Sequence, residues 1–397
     1  MRFADIPGQT AVKSQLQAGF ASGRIPHAQL FAGPEGSGKL PLAWAYAQLL
    51  LCHSPSEQDA CGQCPACRKV EKLIHPDLHW VFPVVNKGGD SERNTSEYWM
   101  KEFRDLFLAS PHMEFSDWRD AMEAENRQAN IARSECYTVL SKLGLAAFEG
   151  RYKVVVMWLA EYLGEAGNLL LKMLEEPPDQ TVFLLVSTHP EHILPTILSR
   201  TRTIRIPPLE AGAIEGYLQG LDLTPERAAN LAMASEGNIH KALQWLNETT
   251  YEHSARFMAL MRLSYASSAV EVHHWVTECG DLGRESLKGM LDYAMVLLRQ
   301  CYLYRHLRQE PAGLKPEERD FLIKFSPFIS AQSMGVFQTA FETAAYQIER
   351  NGHVRLVLHN LFFALQEGIH AERKRQRRAS EAAQVLASMS GTTLFGS

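Results

Sequence analysis

Eight residues constrain this chain more than any others: Gly33-Pro34-Glu35-Gly36-Ser37-Gly38-Lys39-Leu40. The apolar run Ala28–Ala32 precedes them, and an apolar stretch with helical spacing, 41–51, follows. A strand, a glycine turn and a helix in that order open a βαβ unit. The pattern G-x-x-x-x-G-K is that of a phosphate-binding loop. Its glycines let backbone N–H groups point at phosphate, its lysine reaches the β and γ phosphates, and the next Ser or Thr hydroxyl ligates Mg²⁺. Here that last position is Leu40, which carries no oxygen. The plainer reading of Gly33, Gly36, Gly38 and Lys39 is a tight strand-to-helix turn with a surface lysine.

Further apolar runs at Leu78–Val81, 153–159, 181–188 and 203–206 are continuous rather than alternating, as strands buried on both faces of a parallel sheet require. Helical spacing lies between them, notably at 131–147 and 163–175. A nucleotide-hydrolysing protein of this kind also needs an acid at the tip of an apolar strand to hold Mg²⁺. The strand that starts at Lys153 ends in Trp158-Leu159, and Glu161 lies past it. Losing charge-stabilising groups costs orders of magnitude in rate. The expectation is negligible hydrolysis, with weak ATP or ADP binding at Gly33, Gly36, Gly38 and Lys39 as the most the turn supports.

Four of the seven cysteines cluster as Cys52-x8-Cys61-x2-Cys64-x2-Cys67, while Cys136, Cys279 and Cys301 are scattered. Four thiolates at this spacing suit a tetrahedral, structural Zn²⁺ with no open coordination position. That argues against a zinc-dependent enzyme. The rival is an iron–sulfur cluster, but that run calls for a fourth cysteine at position 71, which is Glu71.

After Pro207-Pro208 the strand pattern stops. Short helices are expected at 210–219, 224–235 and 238–248, then amphipathic helix from 251 to 370. From 371 the chain is expected to be a disordered tail. It opens with five basic residues in six, 373–378, which read as a solvated helix end or as a contact to DNA phosphates. Thr392-Thr393-Leu394-Phe395-Gly396-Ser397 faintly resembles clamp-binding peptides. Residues 84–130 are the least legible, although Trp99, Phe103, Phe107, Phe115 and Trp118 imply helices that pack on something. Net charge is −5, so no global basic field recruits nucleic acid. Apolar runs are too short to cross a bilayer, and an acid stands at Asp5 where a signal peptide needs apolar residues. A cytoplasmic location is expected.

Several longer motifs carry a resemblance. They are Phe3-Ala4-Asp5-Ile6-Pro7-Gly8-Gln9, Ile25-Pro26-His27-Ala28-Gln29-Leu30-Phe31, the cysteine insertion, the run from Asn168 through Leu170-Leu171-Lys172 to Glu175-Glu176-Pro177-Pro178, and Leu194-Pro195-Thr196-Ile197-Leu198-Ser199-Arg200-Thr201. Together they resemble the delta-prime subunits of the bacterial DNA polymerase III clamp loader, over most of residues 1–250. Trp158 and the stretch Glu125-Asn126-Arg127-Gln128-Ala129-Asn130 are similar to delta-prime chains of the Bacteroidetes group. Thr201 departs from the family's usual Cys.

The resemblance implies an AAA+ P-loop α/β domain with a parallel sheet and a zinc module (1–207, zinc module at 52–67). It also implies a small helical lid (208–248) and an all-α collar (249–370) ahead of the tail (371–397). It makes Arg200 an arginine finger offered in trans to ATP on a neighbouring subunit, a role for which the guanidinium fork is suited. Lys241 falls where lids carry a nucleotide-sensing basic residue. Implied partners are tau/gamma and delta, the sliding clamp indirectly, and primed DNA through the complex. The alternative is an ATP-hydrolysing motor of the tau/gamma type, against which Leu40 and Trp158 argue.

Overall fold

A computed structural model describes residues 1–390 except 86–93, 125–126, 247–248, 267–268, 309–313, 315 and 351. The expected clamp-binding end at 392–397, the loop at 86–93, the turn markers Pro311 and Gly313, and the pair Glu125-Asn126 therefore lie outside the described residues. The chain forms two compact units, Met1–Leu243 and Gln244–Ser397.

The first unit is built on strands β1 (Ala28–Ala32), β2 (Leu78–Val81), β5 (Lys153–Trp158), β6 (Thr181–Ser187) and β7 (Arg202–Arg205), in the order β2-β5-β6-β1-β7. Every neighbouring pair is parallel. The short strands β3 (Val84–Val85) and β4 (Ala129–Asn130) pair antiparallel outside this sheet. Each residue of β1, β5 and β6 is buried, which is why these runs are unbroken in apolar character. At the edge, β7 buries only Ile204. Successive side chains alternate between two cores, as the pleat dictates. Val154, Val156 and Trp158 join one core, with Phe31, Leu184 and the helix Lys39–Leu51. Val155 and Met157 join the other, with Leu30, Phe183 and the helix Arg133–Leu143.

Every residue of the helix Lys39–Leu51 is buried. It has no solvated face because the sheet, the helix Pro65–Glu71 and the segment after β2 pack around it. Within that segment, helix Met100–Ala109 sets Phe107 against Trp44, with ring centroids 4.9 Å apart. Phe103 stacks on Phe82 at 4.0 Å. Trp118, in helix Phe115–Ala121, is fully buried and its indole N–H donates to Pro83 O at 2.8 Å. Of the aromatic residues expected to pack on something, Phe107 meets the helix that follows the glycine turn, while Trp99, Phe103 and Trp118 pack on one another and on Phe82, and Phe115 on Tyr162.

Within the first unit, the stretch before β6 differs from its sequence reading. The single helix expected over 163–175 is a 3₁₀ stretch, Ala160–Leu170, followed by helix Leu171–Glu175. Gly164 breaks it, at φ 48° and ψ −138°, a conformation open only to glycine. Helices Ala211–Gln219, Pro225–Ala234 and Ile239–Gln244 follow, and the first two fall within the first unit.

Helices Thr249–Ala266, Ala269–Gly280, Arg284–Leu307, Pro316–Phe325, Ala331–Glu349 and Val354–Ser390 make the second unit. Phe257, Phe337 and Phe341 are fully buried there. The disordered tail expected from 371 is corrected as far as Ser390, because the last helix runs straight through it. The physical reason is Glu372, 4% exposed. It accepts from Ser330 Oγ at 2.8 Å, with Arg305 and Arg375 each 3.6 Å away. The Arg373 guanidinium lies over the Tyr265 ring at 4.5 Å. Among the described residues no helix is long and apolar enough to cross a membrane.

Candidate functional site

The glycine turn leaves β1 and closes onto the helix Lys39–Leu51. Gly36 and Gly38 both sit at positive φ, 65° and 81°. A Cβ on Gly33 would lie 2.3 Å from Ile206 O, and one on Gly36 would lie 1.9 Å from Asn238 Oδ1. The glycines are therefore fixed by close backbone approach as well as by conformation. Asn238 stays over the turn because Ile239 N donates to Gly36 O at 3.1 Å.

Lys39 is not a surface lysine. It is 2% exposed, and its Nζ donates to Pro34 O at 3.1 Å. The same Nζ is 3.6 Å from Oε1 of Glu114, itself 7% exposed. Glu114 Oε1 also accepts the Gly36 N–H at 2.6 Å. A carboxylate from elsewhere in the chain thus sits on the turn's own donors. Burial pushes the Glu114 carboxyl up, while the Lys39 charge and the Gly36 N–H pull it back. Beside it His112 is buried, and desolvation lowers it to about 4, so the imidazole is neutral at physiological pH.

The free space left at the turn is about 10 Å³, bordered by Lys39, Leu40, His112, Met113, Glu114 and Trp158. That is room for one water at most. Leu40 and Trp158 are 3% and 1% exposed, and the Trp158 ring packs 5.8 Å from Phe103. They fill space where a metal-binding loop would place oxygens. Glu161 does not face the turn: its Oε1 accepts from Thr188 N at 3.0 Å and His189 N at 3.2 Å. A wider cleft of about 530 Å³ borders the same turn, lined by its Pro34 and Glu35 together with Thr188, His189, Asn238 and Lys241.

The four cysteine sulfurs converge within 4.8 Å of one another. Cys52 and Cys64 are 3.9 Å apart, as are Cys61 and Cys67. Tetrahedral Zn–S bonds of roughly 2.3 Å place sulfurs about 3.8 Å apart, so the set fits a metal such as zinc. N–H groups of Cys61, Cys64 and Cys67 point at the sulfurs of Cys52, Cys61 and Cys64, at 3.3 to 3.4 Å. They orient and stabilise thiolates, as second-layer donors do. Gly62, at φ 71°, makes the turn between the first pair. Asp59, in the same loop, accepts the N–H groups of Phe3 and Ala4 at 3.1 and 3.0 Å and ties the module to the N-terminal segment.

Arg200 sits just ahead of β7 and is half-buried. Its Nε donates to Glu175 Oε1 at 2.6 Å, a second guanidinium nitrogen reaches the same oxygen, and Nη1 donates to Thr196 O at 2.8 Å. Its hydrogen bonds go to Glu175, Thr196 and Ser199, not to the glycine turn. Gly33, Gly36, Gly38 and Lys39 are therefore one place, the cysteines a second and Arg200 a third.

Sequence reading missed Glu114. A local signal existed: Glu114 N donates to Asp117 Oδ2 at 2.8 Å, a helix-start pattern of E-x-x-D before apolar residues. That signal marks the helix start and says nothing of the turn 78 residues away.

Fold and site together define an α/β protein with phosphate-loop architecture and a four-cysteine module. The sequence model described as "DNA polymerase III, delta subunit" matches residues 8–210, about half of the chain, and the chain belongs to that family. DNA polymerase III subunit delta' of Pseudomonas aeruginosa is 32% identical over 249 residues, covering 62% of each chain. Subunit delta' of Bacillus subtilis is 28% identical over 236 residues, 59% of this chain and 58% of that one. Subunit tau of Escherichia coli is 30% identical over 249 residues, 61% of this chain and 32% of that one. The matched region thus spans less than two-thirds of each relative.

Proposed function

We propose that this chain is a delta-prime-type subunit of a bacterial clamp loader that has no ATPase of its own. In this reading it works in the cytoplasm beside tau/gamma and delta subunits, which load a sliding clamp onto primed DNA. Identity alone does not separate delta' from tau, since relatives of both names match at about the same level. The observation that carries the choice is the glycine turn: Leu40 and Trp158 stand where Mg²⁺ ligands are needed, and Glu114 fills the cradle. In this reading Glu114, seated on Gly36 N and beside Lys39 Nζ, competes with any ATP or ADP for the donors of the turn.

Arg200 is the group this chain would lend. Its planar fork matches phosphate oxygens and stays charged at all relevant pH. Held now on one oxygen of Glu175, it would exchange that carboxylate for phosphate oxygens on meeting a neighbour's ATP. The cysteines would hold a structural Zn²⁺ that braces the N-terminal segment, with no open position for catalysis.

The test is a loader rebuilt from this chain and the tau/gamma and delta subunits of the same organism. Clamp- and DNA-stimulated ATPase is expected to require this chain. Arg200→Ala is expected to lower it by about 10³-fold or more, the order seen for fingers supplied in trans. Unchanged ATPase with Arg200→Ala removes the finger, and ATP turnover by the chain alone, lost on Lys39→Ala, replaces the reading with the motor one.

A further inference from the structure

Glu114 reaches the glycine turn from the segment that packs over helix Lys39–Leu51. It makes the contacts a bound anion would make there: a short hydrogen bond from Gly36 N at 2.6 Å and an ion pair with Lys39 Nζ at 3.6 Å. A backbone N–H and a lysine at a helix start are the donors such turns offer to phosphate oxygens. Lys39 and Glu114 are both over nine-tenths buried, so neither charge is met by bulk water. We propose that the glycine turn of this chain is an intramolecular carboxylate receptor, with the Glu114 side chain as its resident ligand.

The receptor fastens neighbouring pieces to one another. The segment carrying Glu114 also meets the helices that follow the sheet: Asp117 is 3.5 Å from His240 Nδ1, and the His112 and Tyr217 rings are 5.4 Å apart edge to face. Asn238, from the same helical region, covers Gly36. One anion site thereby joins the turn, the segment around 112–118 and the helices around 217 and 240. A phosphate loop that has lost nucleotide keeps its donors because a protein carboxylate now satisfies them. Buried N–H groups and a buried ammonium without a partner would be costly.

The site lies within the chain itself, so its test needs no partner subunit, and its outcome does not decide the clamp-loader assignment. Thermal unfolding is followed for the full metal-loaded chain and for Glu114→Ala, in chloride and in matched ionic strengths of formate, acetate or inorganic phosphate. Glu114→Ala is expected to unfold at lower temperature and to be restored in part, saturably, by formate or phosphate. Wild type is expected to show no such gain, and Lys39→Met combined with Glu114→Ala is expected to show none. Absence of rescue in Glu114→Ala, or equal rescue of wild type, overturns the proposal.

Should Glu114→Ala fail to fold in every anion, Glu114→Gln keeps the volume and one acceptor oxygen and is read by amide hydrogen exchange. Exchange at 33–39 and at 112–121 is then expected to rise together by about tenfold or more. No change, or a rise confined to 112–121, overturns the proposal.

Discussion

Two sites in the first unit began from recognisable ligand-binding patterns and kept different things. The cysteine loop holds all four of its ligand atoms, with sulfurs 3.9 Å apart in pairs and N–H groups aimed at them. The glycine turn holds its backbone, with positive φ at Gly36 and Gly38 and a lysine at the helix start, but its donors at Gly36 and Lys39 are met by Glu114. In the first, the sequence spacing and the geometry agree: four sulfurs converge as a metal such as zinc requires. In the second, the carboxylate of Glu114, 78 residues away, sits on a donor that such a turn offers to phosphate. A motif reports how a backbone runs. What fills it depends on packing that the motif does not contain.

The contrast can be broken at the cysteines first, where the expected effect is largest. Cys67→Ser removes a fully buried ligand. Metal content by elemental analysis is expected to fall from about one ion per chain to near none. Stability is expected to drop by several kcal/mol, on the order of a structural metal's contribution after relaxation of the loop. Hydrogen exchange at Phe3 and Ala4, held by Asp59, is expected to rise with it. Metal retained at full stoichiometry would leave the four-thiolate account without support.

At the turn the effect is next in size. Lys39→Met leaves the Glu114 carboxylate buried without its cation, at a cost of about 3–5 kcal/mol in urea unfolding. Combining Lys39→Met with Glu114→Gln is expected to recover part of that loss, because residues in direct contact couple. Strict additivity would mean that the pair does not interact.

How much of this was open to sequence reading follows from how local each feature is. Strand β5 was legible because all six of its residues are buried and apolar or aliphatic-stemmed. The 3₁₀ break was not, because a lone glycine inside helical spacing gives no sign that Gly164 adopts a conformation closed to other residues. The aromatic residues of 99–118 announced packing but not its partners, which are one another, Trp44, Phe82 and Tyr162 and lie far apart in sequence. The basic run from Arg373 read as solvated, while its neighbour Glu372 is buried by Ser330 and Arg305. The plainer reading of Lys39, a surface lysine, fails for the same reason: it is buried by residues far along the chain, Glu114 among them. The convergence of Cys52, Cys61, Cys64 and Cys67 was readable because all four lie within sixteen residues of one another in sequence.

Arg200 carries the smallest expected effect on the chain itself and so sharpens the contrast from the other side. It pairs with Glu175 at the surface, half-exposed, and Arg200→Ala is expected to change stability by about 0–1 kcal/mol. A residue with almost no weight in folding and a large weight in the rebuilt loader is what a lent group should look like. A loss of several kcal/mol in the isolated chain would instead make Arg200 a structural residue.

The most direct measurement is a calorimetric titration of Mg²⁺–ATP into the purified full chain. With the carboxylate of Glu114 seated on Gly36 and Lys39, no saturable binding is expected up to about 1 mM nucleotide. A single-site isotherm in the micromolar range, abolished by Lys39→Met, would mean that the turn still serves nucleotide and that the account given for it is wrong.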